Sequence, residues 1–387
     1  MLPAMRRDAR EPLDLVLVGG GHAHVHVLRA FAARPEPGVR LTLVSRDLST
    51  PYSGMLPGVV AGHYSPDQAH IDLAPLAAAA GARLVHDSVV GLDRAGLRLA
   101  LAAGAPLSYG LVSIDVGICP DLGAIAGAAQ HGIPVKPVGR LLPRLEALRA
   151  RCREEGGPRK IVVVGGGAGG VELVLALRAR LLGDAAAAGR DPLRLGFALV
   201  TAETVLATHN PRVRAACRRI LAERGIVLYE HWRVAALTDN AIIADTEDRI
   251  PADAVLLTTH AAAPRWLRQS GLSCDAGGFV AVAPTLQSVY DPHVFAAGDC
   301  AALVETPREK AGVFAVRAGP PLAANLRAKA RGEPLRPWHP QQRHLALITT
   351  GERYAVASRG PFKAEGPWLW VLKDIIDRRW MRRFQMS

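Results

Sequence analysis

Two glycine-rich turns hold the residues best suited to chemistry. In the first, LDLVLVGGGHAHVHV over 13–27, an apolar run passes into three glycines and then into an apolar-periodic segment. That pattern reads as strand, tight turn and helix. Glycines let a backbone approach a pyrophosphate, and the helix N-terminus behind them offers free N–H groups and a positive dipole end. Gly19, Gly21, His22 and Ala23 are the candidate ligands. The spacing Gly19-x-Gly21-x-x-His24 misses the full dinucleotide fingerprint by one residue, because His24 stands where a third glycine would serve helix–strand packing. In the second turn, IVVVGGGAGGVELVLAL over 161–177, all three glycines are present as Gly165, Gly167 and Gly170, followed by Glu172. A repeat of strand–turn–helix in the right context is a stronger signal than either turn alone.

A dinucleotide site usually wants an acid at the end of the next strand to accept from ribose hydroxyls. After the first turn that strand, VRLTLVS over 39–45, ends in Ser45, followed by Arg46. Serine still bonds a hydroxyl, and arginine suits an adenine face or a phosphate. After the second turn LGFALVT, over 195–201, ends near Glu203, an acid that favours NADH over NADPH; its alternative role is a solvated helix cap. Further on, a strand over 294–297 ends in Gly298-Asp299, whose carboxylate suits the hydroxyls of a flavin's ribityl chain.

These residues need a scaffold, and the chain is long enough to supply one. Its 387 residues allow two or three domains, and 49% hydrophobic with 21% charged residues marks a globular protein. The net charge of +12 comes mainly from scattered arginine, with no basic runs interleaved with aromatics, which argues against a nucleic-acid partner and leaves an anionic membrane surface open. Five cysteines without close pairing argue for a reducing cytoplasm and against a structural zinc or disulfide framework. No segment reads as a signal peptide or a membrane span. His22, His24 and His26 lie in the phosphate-binding turn, where a metal would block the cofactor, so no metal is expected.

Between the two turns, STPYSGMLPGVVAGHYS over 49–65 is a Gly/Pro/Tyr-rich loop of the kind that carries function, or a surface loop punctuated by turn residues. It has no cysteine, so a dithiol relay there is not expected. Pro57 from this loop, Val89 from a later strand and Ala311 complete the candidate cofactor-binding set. Two dinucleotide folds in one chain suit an enzyme that holds a flavin in the first and brings a nicotinamide to it from the second.

The order of motifs, ending in FAAGD over 295–299, resembles the FAD-dependent pyridine nucleotide-disulfide oxidoreductase superfamily over nearly the whole chain. GGGHAHVHV, TPYSGMLPGVVAGHY, SIDVG, EKAGVFAVRAGPPLAANL and WLWVLKDIIDRRWMRRF look most like type II NADH dehydrogenases and the flavoprotein module fused in some organisms to selenide, water dikinase. The resemblance implies an α/β fold with two Rossmann-like, three-layer ββα domains, the second inserted in the first. FAD-binding segments would span 12–157 and 272–330, an inserted NAD(P)H-binding domain 158–271, and a small α+β domain 331–387. It implies FAD, NAD(P)H and an acceptor, often a quinone. A sulfur- or selenium-handling flavoprotein, with Cys119 and Cys300 near the flavin, and a flavin sensor without turnover are the alternatives. Three residues depart from the pattern: His24, Ser45, and Thr259-His260 where relatives commonly show Thr-Gly. A helix beginning at Lys310 would point its N-terminus at the flavin pyrimidine edge, and Lys310 is the candidate catalytic residue, its alternative being a solvated helix position.

The tail adds two short strand-like runs, HLALITTG and RYAVASRG, and a segment over 368–384 with Leu372, Ile376, Trp380 and Phe384 at i+4 spacing. This amphipathic helix carries tryptophans and basic residues that suit a membrane interface, on the inner face of the cell membrane. Its other destinations are the chain's own core or a homodimer partner.

Overall fold

The structure, a computed structural model, describes residues 11–258 and 261–385; Thr259-His260 lies outside the described residues. Two five-stranded parallel sheets dominate. The principal elements, numbered in chain order, are β1 (Leu13–Val18), α1 (His22–Ala33), β2 (Val39–Ser45), α2 (Leu56–Ala61), β3 (Arg83–His86), β4 (Leu111–Ile114), β5 (Gly132–Pro134), α3 (Val138–Arg153), β6 (Lys160–Val164), α4 (Ala168–Ala187), β7 (Gly196–Val200), β8 (Ile226–Tyr229), β9 (Ala254–Leu257), β10 (Val294–Ala296), α5 (Gly312–Ala330), β11 (Ala346–Thr349), β12 (Ala355–Arg359), β13 (Phe362–Gly366) and α6 (Pro367–Met381).

The first sheet runs β10-β4-β1-β2-β3 and the second β5-β9-β6-β7-β8. Both follow the same winding, with the central strand leading into a glycine turn and a helix. Leu15–Val18 and Ile161–Val164 are apolar because both faces of each parallel sheet are covered; in the second unit helices lie on one face and the meander residues Leu237, Ile242 and Ile250 on the other, leaving no side to water. Leu15, Leu17, Leu43 and Ile114 in the first sheet, and Ile161, Val163 and Leu199 in the second, are buried. Each sheet also carries a three-stranded antiparallel meander in the connection before β4 or β9, over 89–108 and 234–251.

Three expectations need correction. The second sheet takes its edge strand β5, and α3 with Leu141, Leu145 and Leu148 in its core, from before residue 158. Ala263 and Leu267 pack into the first core, so the return from the second unit precedes 272. The helix expected from Lys310 begins at Gly312, with Ala311 as its N-cap. α5 packs along α1: a Cβ on Gly319 would fall 2.4 Å from the His26 Cβ, and Glu36 receives Arg327 at 2.9 Å and Arg331 at 2.6 Å.

The tail forms the antiparallel sheet β11-β12-β13, whose third strand the sequence pattern does not announce, followed by α6. The expected apolar stripe divides. Trp380, Met381 and Phe384 enter the first core, while Trp368, Val371, Ile375 and Ile376 stay exposed, at 44% or more. The line that packs inward passes instead through Leu369 and the buried Asp377. Among the described residues no helix is long and apolar enough to cross a membrane.

Candidate functional site

The C-terminal ends of β1, β2 and β4 open on a cavity of about 360 Å³. A crevice at the carboxyl ends of the strands, where the winding reverses, is where open α/β sheets bind ligands. Gly19, Gly21, His22, Ser45, Arg46, Val89 and Asp299 line it, so the structure brings together most of the first candidate set. Ala23 lies behind them, buried in the first turn of α1. The turn leaves room for a ligand backbone only because it lacks side chains: a Cβ on Gly20 would meet Leu73 at 2.3 Å and one on Gly21 would meet Asp115 at 2.2 Å.

His24, the departure from the glycine pattern, points into the protein and not into the cavity. It is fully buried, with Nδ1 2.6 Å from the Gly19 carbonyl and Nε2 2.9 Å from Ser113 Oγ. The imidazole fills the helix–strand gap that a third glycine would have closed, and burial holds its pKa down at about 4, so it stays neutral. The fingerprint is altered without obstructing the crevice. Ser45 spends its hydroxyl donating to the Asp47 carbonyl at 2.7 Å, and Arg46 pairs with the Asp47 carboxylate at 2.7 Å; both remain on the cavity wall. Gly298 adopts φ +68°, and a Cβ there would fall 2.3 Å from Asp115 Oδ1, so only glycine lets this turn present Asp299 to the cavity.

In the second unit Gly165, at φ +122°, ends β6, and Gly167 caps α4. A Cβ on Gly170 would lie 1.9 Å from the Gly165 carbonyl, which makes it the packing glycine of the motif. Nothing lies within 4 Å of a Cβ built on Gly167, so this helix end is open. Thr258 Oγ donates to the Val164 and Gly165 carbonyls at 2.9 and 3.3 Å and braces the turn. Glu203 is exposed on the loop after β7.

A second cavity, about 270 Å³ and mostly apolar, lies between the two units. Ser53, Pro57 and Cys119 face Gly169, Glu172 and Thr258 across it. Glu172 Oε1 accepts from the backbone N–H and the hydroxyl of Thr349, both at 2.8 Å, and burial raises its pKa. Lys310 reaches this cavity, and its ammonium is anchored on the neighbouring backbone. It donates to the Ala301 carbonyl at 2.5 Å and sits 3.9 Å over the Phe279 ring, and burial lowers its pKa. Cys119 and Cys300 are not primed as thiolates: burial raises both, Cys300 to about 12.

Two residues escape the sequence pattern. Lys136, between β5 and α3, lines both cavities and makes no salt bridge among the described residues. Asp115, inside the motif SIDVG, is buried at the first glycine turn, and its pKa is raised to about 7 by burial. Neither carries a spacing signal, since each reaches the site through the sheet's winding.

The loop over 49–65 walls both cavities and is held from outside by α6. Tyr52 stacks on Trp380 at 4.1 Å between ring centres, Lys373 Nζ donates to the Gly54 carbonyl at 2.5 Å, and Tyr64 donates to Asp374 at 2.7 Å.

Comparison with known proteins agrees with this architecture. The NADH dehydrogenase-like protein YutJ of Bacillus subtilis is 22% identical over 305 residues, covering 76% of this chain and 78% of that protein. The type II NADH:quinone oxidoreductase of Haemophilus influenzae is 31% identical over 186 residues, 46% of this chain and 41% of that protein. The solved sulfide:quinone oxidoreductase of Aquifex aeolicus matches with a TM-score of 0.81 at 16% identity, covering 96% of this chain and 91% of that one. The family model for pyridine nucleotide-disulphide oxidoreductase matches residues 13–327. The chain therefore belongs to the pyridine nucleotide-disulphide oxidoreductases, flavoenzymes that bind FAD and use NAD(P)H.

Proposed function

We propose that the chain passes two electrons from NAD(P)H by way of FAD to a quinone, working at a membrane surface. The observation that carries this reading is the apolar cavity between the two units, which shares Ser53, Cys119 and Lys136 with the first crevice, borders Gly169 at the start of α4, and is backed by the loop that α6 holds. The names of the Bacillus and Haemophilus relatives, NADH dehydrogenase-like and NADH:quinone oxidoreductase, point the same way.

In this reading the first crevice takes FAD, with Gly19, Gly21, His22, Ser45, Arg46, Val89 and Asp299 as its wall. Bound there, FAD supplies two-electron chemistry between a nicotinamide and an acceptor. The Gly167 end of α4 takes the NAD(P)H diphosphate, since it has open space and unpaired helical N–H groups. Asp299 accepts from hydroxyls, and Lys136 offsets negative charge where the two cavities meet. Glu172, its pKa raised by burial, stands on the cavity wall with Thr349 fixing its orientation. The exposed face of Trp368, Val371, Ile375 and Ile376, with Arg379 and Arg382 exposed beside it, lies flat on an anionic bilayer, from which a quinone reaches the cavity.

The test is spectroscopic. Anaerobic NADH should bleach the flavin band of the purified protein, and a short-chain quinone should restore it. Bleaching without restoration by any quinone would leave the flavoenzyme and remove the acceptor. A flavin band untouched by NADH and NADPH would overturn the electron-donor half.

A further inference from the structure

The N-terminus of α1 already holds an anion belonging to the protein. Asp115 is 3% exposed, and its Oδ2 accepts from the backbone N–H groups of Ala23 at 2.8 Å and His24 at 3.2 Å. The Asp115 carbonyl accepts from the Gly21 N–H at 3.2 Å. These are donors of the first helical turn, the groups such a turn ordinarily presents to a diphosphate. Oδ1 has no hydrogen-bond partner among the described residues and faces the Gly298 turn, where Asp299 enters the same cavity. A carboxylate is thus wedged between the two glycine turns that would embrace the cofactor.

A dinucleotide brings two further negative charges to that spot. In a buried site, neighbouring like charges strongly disfavour joint ionisation. We infer that Asp115 is a carboxylic acid in the loaded site, so that binding of FAD carries one proton in from solvent. The balance is simple: carboxylate, proton and FAD give the neutral acid and bound FAD, with no bond broken. The acid keeps one oxygen as acceptor for Ala23 and His24, and its new O–H becomes a donor toward the cofactor. This rests on FAD occupying the first crevice.

The surroundings leave Asp115 as the group to take that proton. From α1, His22 and His24 are held down at about 4 by burial, and both His24 nitrogens have partners. From the turn after β10, the Cys300 thiol is pushed up to about 12, and the Asp299 charge adds to the burial that raises Asp115 to about 7. Lys310 stands beyond Cys300 and is bound to the Ala301 carbonyl. Ser113, on β4, is committed to His24.

The full chain, stripped of flavin, is titrated with FAD between pH 6 and 8.5, following the quenching of flavin fluorescence. Calorimetry in two buffers of different ionisation enthalpy counts protons taken up by the wild-type chain, which needs no variant. The expected Kd rises by about tenfold per pH unit above neutrality, with uptake approaching one proton. In Asp115→Asn the amide oxygen serves Ala23 and His24 and the NH2 replaces the acid O–H, so Kd stays flat and uptake vanishes. A flat wild-type Kd with no proton uptake overturns the inference, as does an undiminished slope in Asp115→Asn; FAD binding in either case leaves the flavoenzyme reading standing. Failure to bind FAD at every pH would overturn both.

Discussion

His24 joins Gly19 to Ser113: one imidazole, buried between α1 and β4, touches the glycine turn through Nδ1 at 2.6 Å and the serine hydroxyl through Nε2 at 2.9 Å. Restoring the glycine of the usual fingerprint would therefore harm this chain. His24→Gly leaves a cavity and a buried, unpaired Ser113 hydroxyl, and should cost roughly 2–4 kcal/mol of stability. Urea denaturation reads the loss. A fall of under about 0.5 kcal/mol would show that the gap closes by itself.

Acid should act through the same helix. His22, His24 and His26 are each lowered to about 4 by burial, below the 6.5 of the unfolded chain. The unfolded state then binds more protons between pH 6.5 and 4, so this stabilisation is complete above pH 6.5 and is lost as pH falls toward 4. Asp115 and Glu172, both raised, work in the opposite sense over part of that window. The single variant is cleaner than the total: His24→Gln should flatten the stability–pH slope by about 1.4 kcal/mol per unit between pH 4.5 and 6. An unchanged slope would mean that His24 titrates normally.

Gly167 has open space where Gly170 has none, although the motif treats them alike. Gly167→Trp should keep the fold and the bound flavin while removing NAD(P)H oxidation at least 100-fold. The flavin spectrum and the NADH bleaching rate check both halves. Oxidation that survives would place the nicotinamide elsewhere.

Cys119 lies exposed at the edge of both cavities, but its thiol is raised by burial and stays protonated near neutrality. Cys119→Ser should leave NADH-dependent quinone reduction within about twofold of wild type. A collapse of turnover would return weight to a thiol that handles sulfur or selenium.

The exposed line on α6 makes the last prediction. Val371→Glu with Ile375→Glu should abolish cosedimentation with anionic vesicles, while reduction of a water-soluble quinone is unaffected. Vesicle binding that persists would assign the contact to another surface.

The two glycine turns, their strands and the final helix are legible in sequence because each is a local pattern of apolar period and glycine spacing. What escapes is what the winding brings together. His24 looks like a defect until Ser113, on a strand far along the chain, supplies its partner. Asp115 carries no pattern of its own, and its meaning comes from Gly21 and Gly298 on either side of it. Lys310 lines the second cavity while donating to the Ala301 carbonyl and sitting over the Phe279 ring, contacts that no local spacing announces. In α6 the spacing identified an apolar stripe but not its division, because periodicity does not say which rows meet a neighbour.

The clamp of α6 on the loop over 49–65 also sets an order in time. Tyr64 and Asp374 lie 310 residues apart, and Tyr52 and Gly54 depend on Trp380 and Lys373 in the same way. During synthesis the first glycine turn and its sheet edge emerge early, and the wall beside them can pair with the strand over 70–72 and pack on α4, but its bracing from outside is missing until the helix over 367–381 has left the ribosome. The crevice wall is therefore complete only once the helix over 367–381 has been made, and that helix acts as its latch.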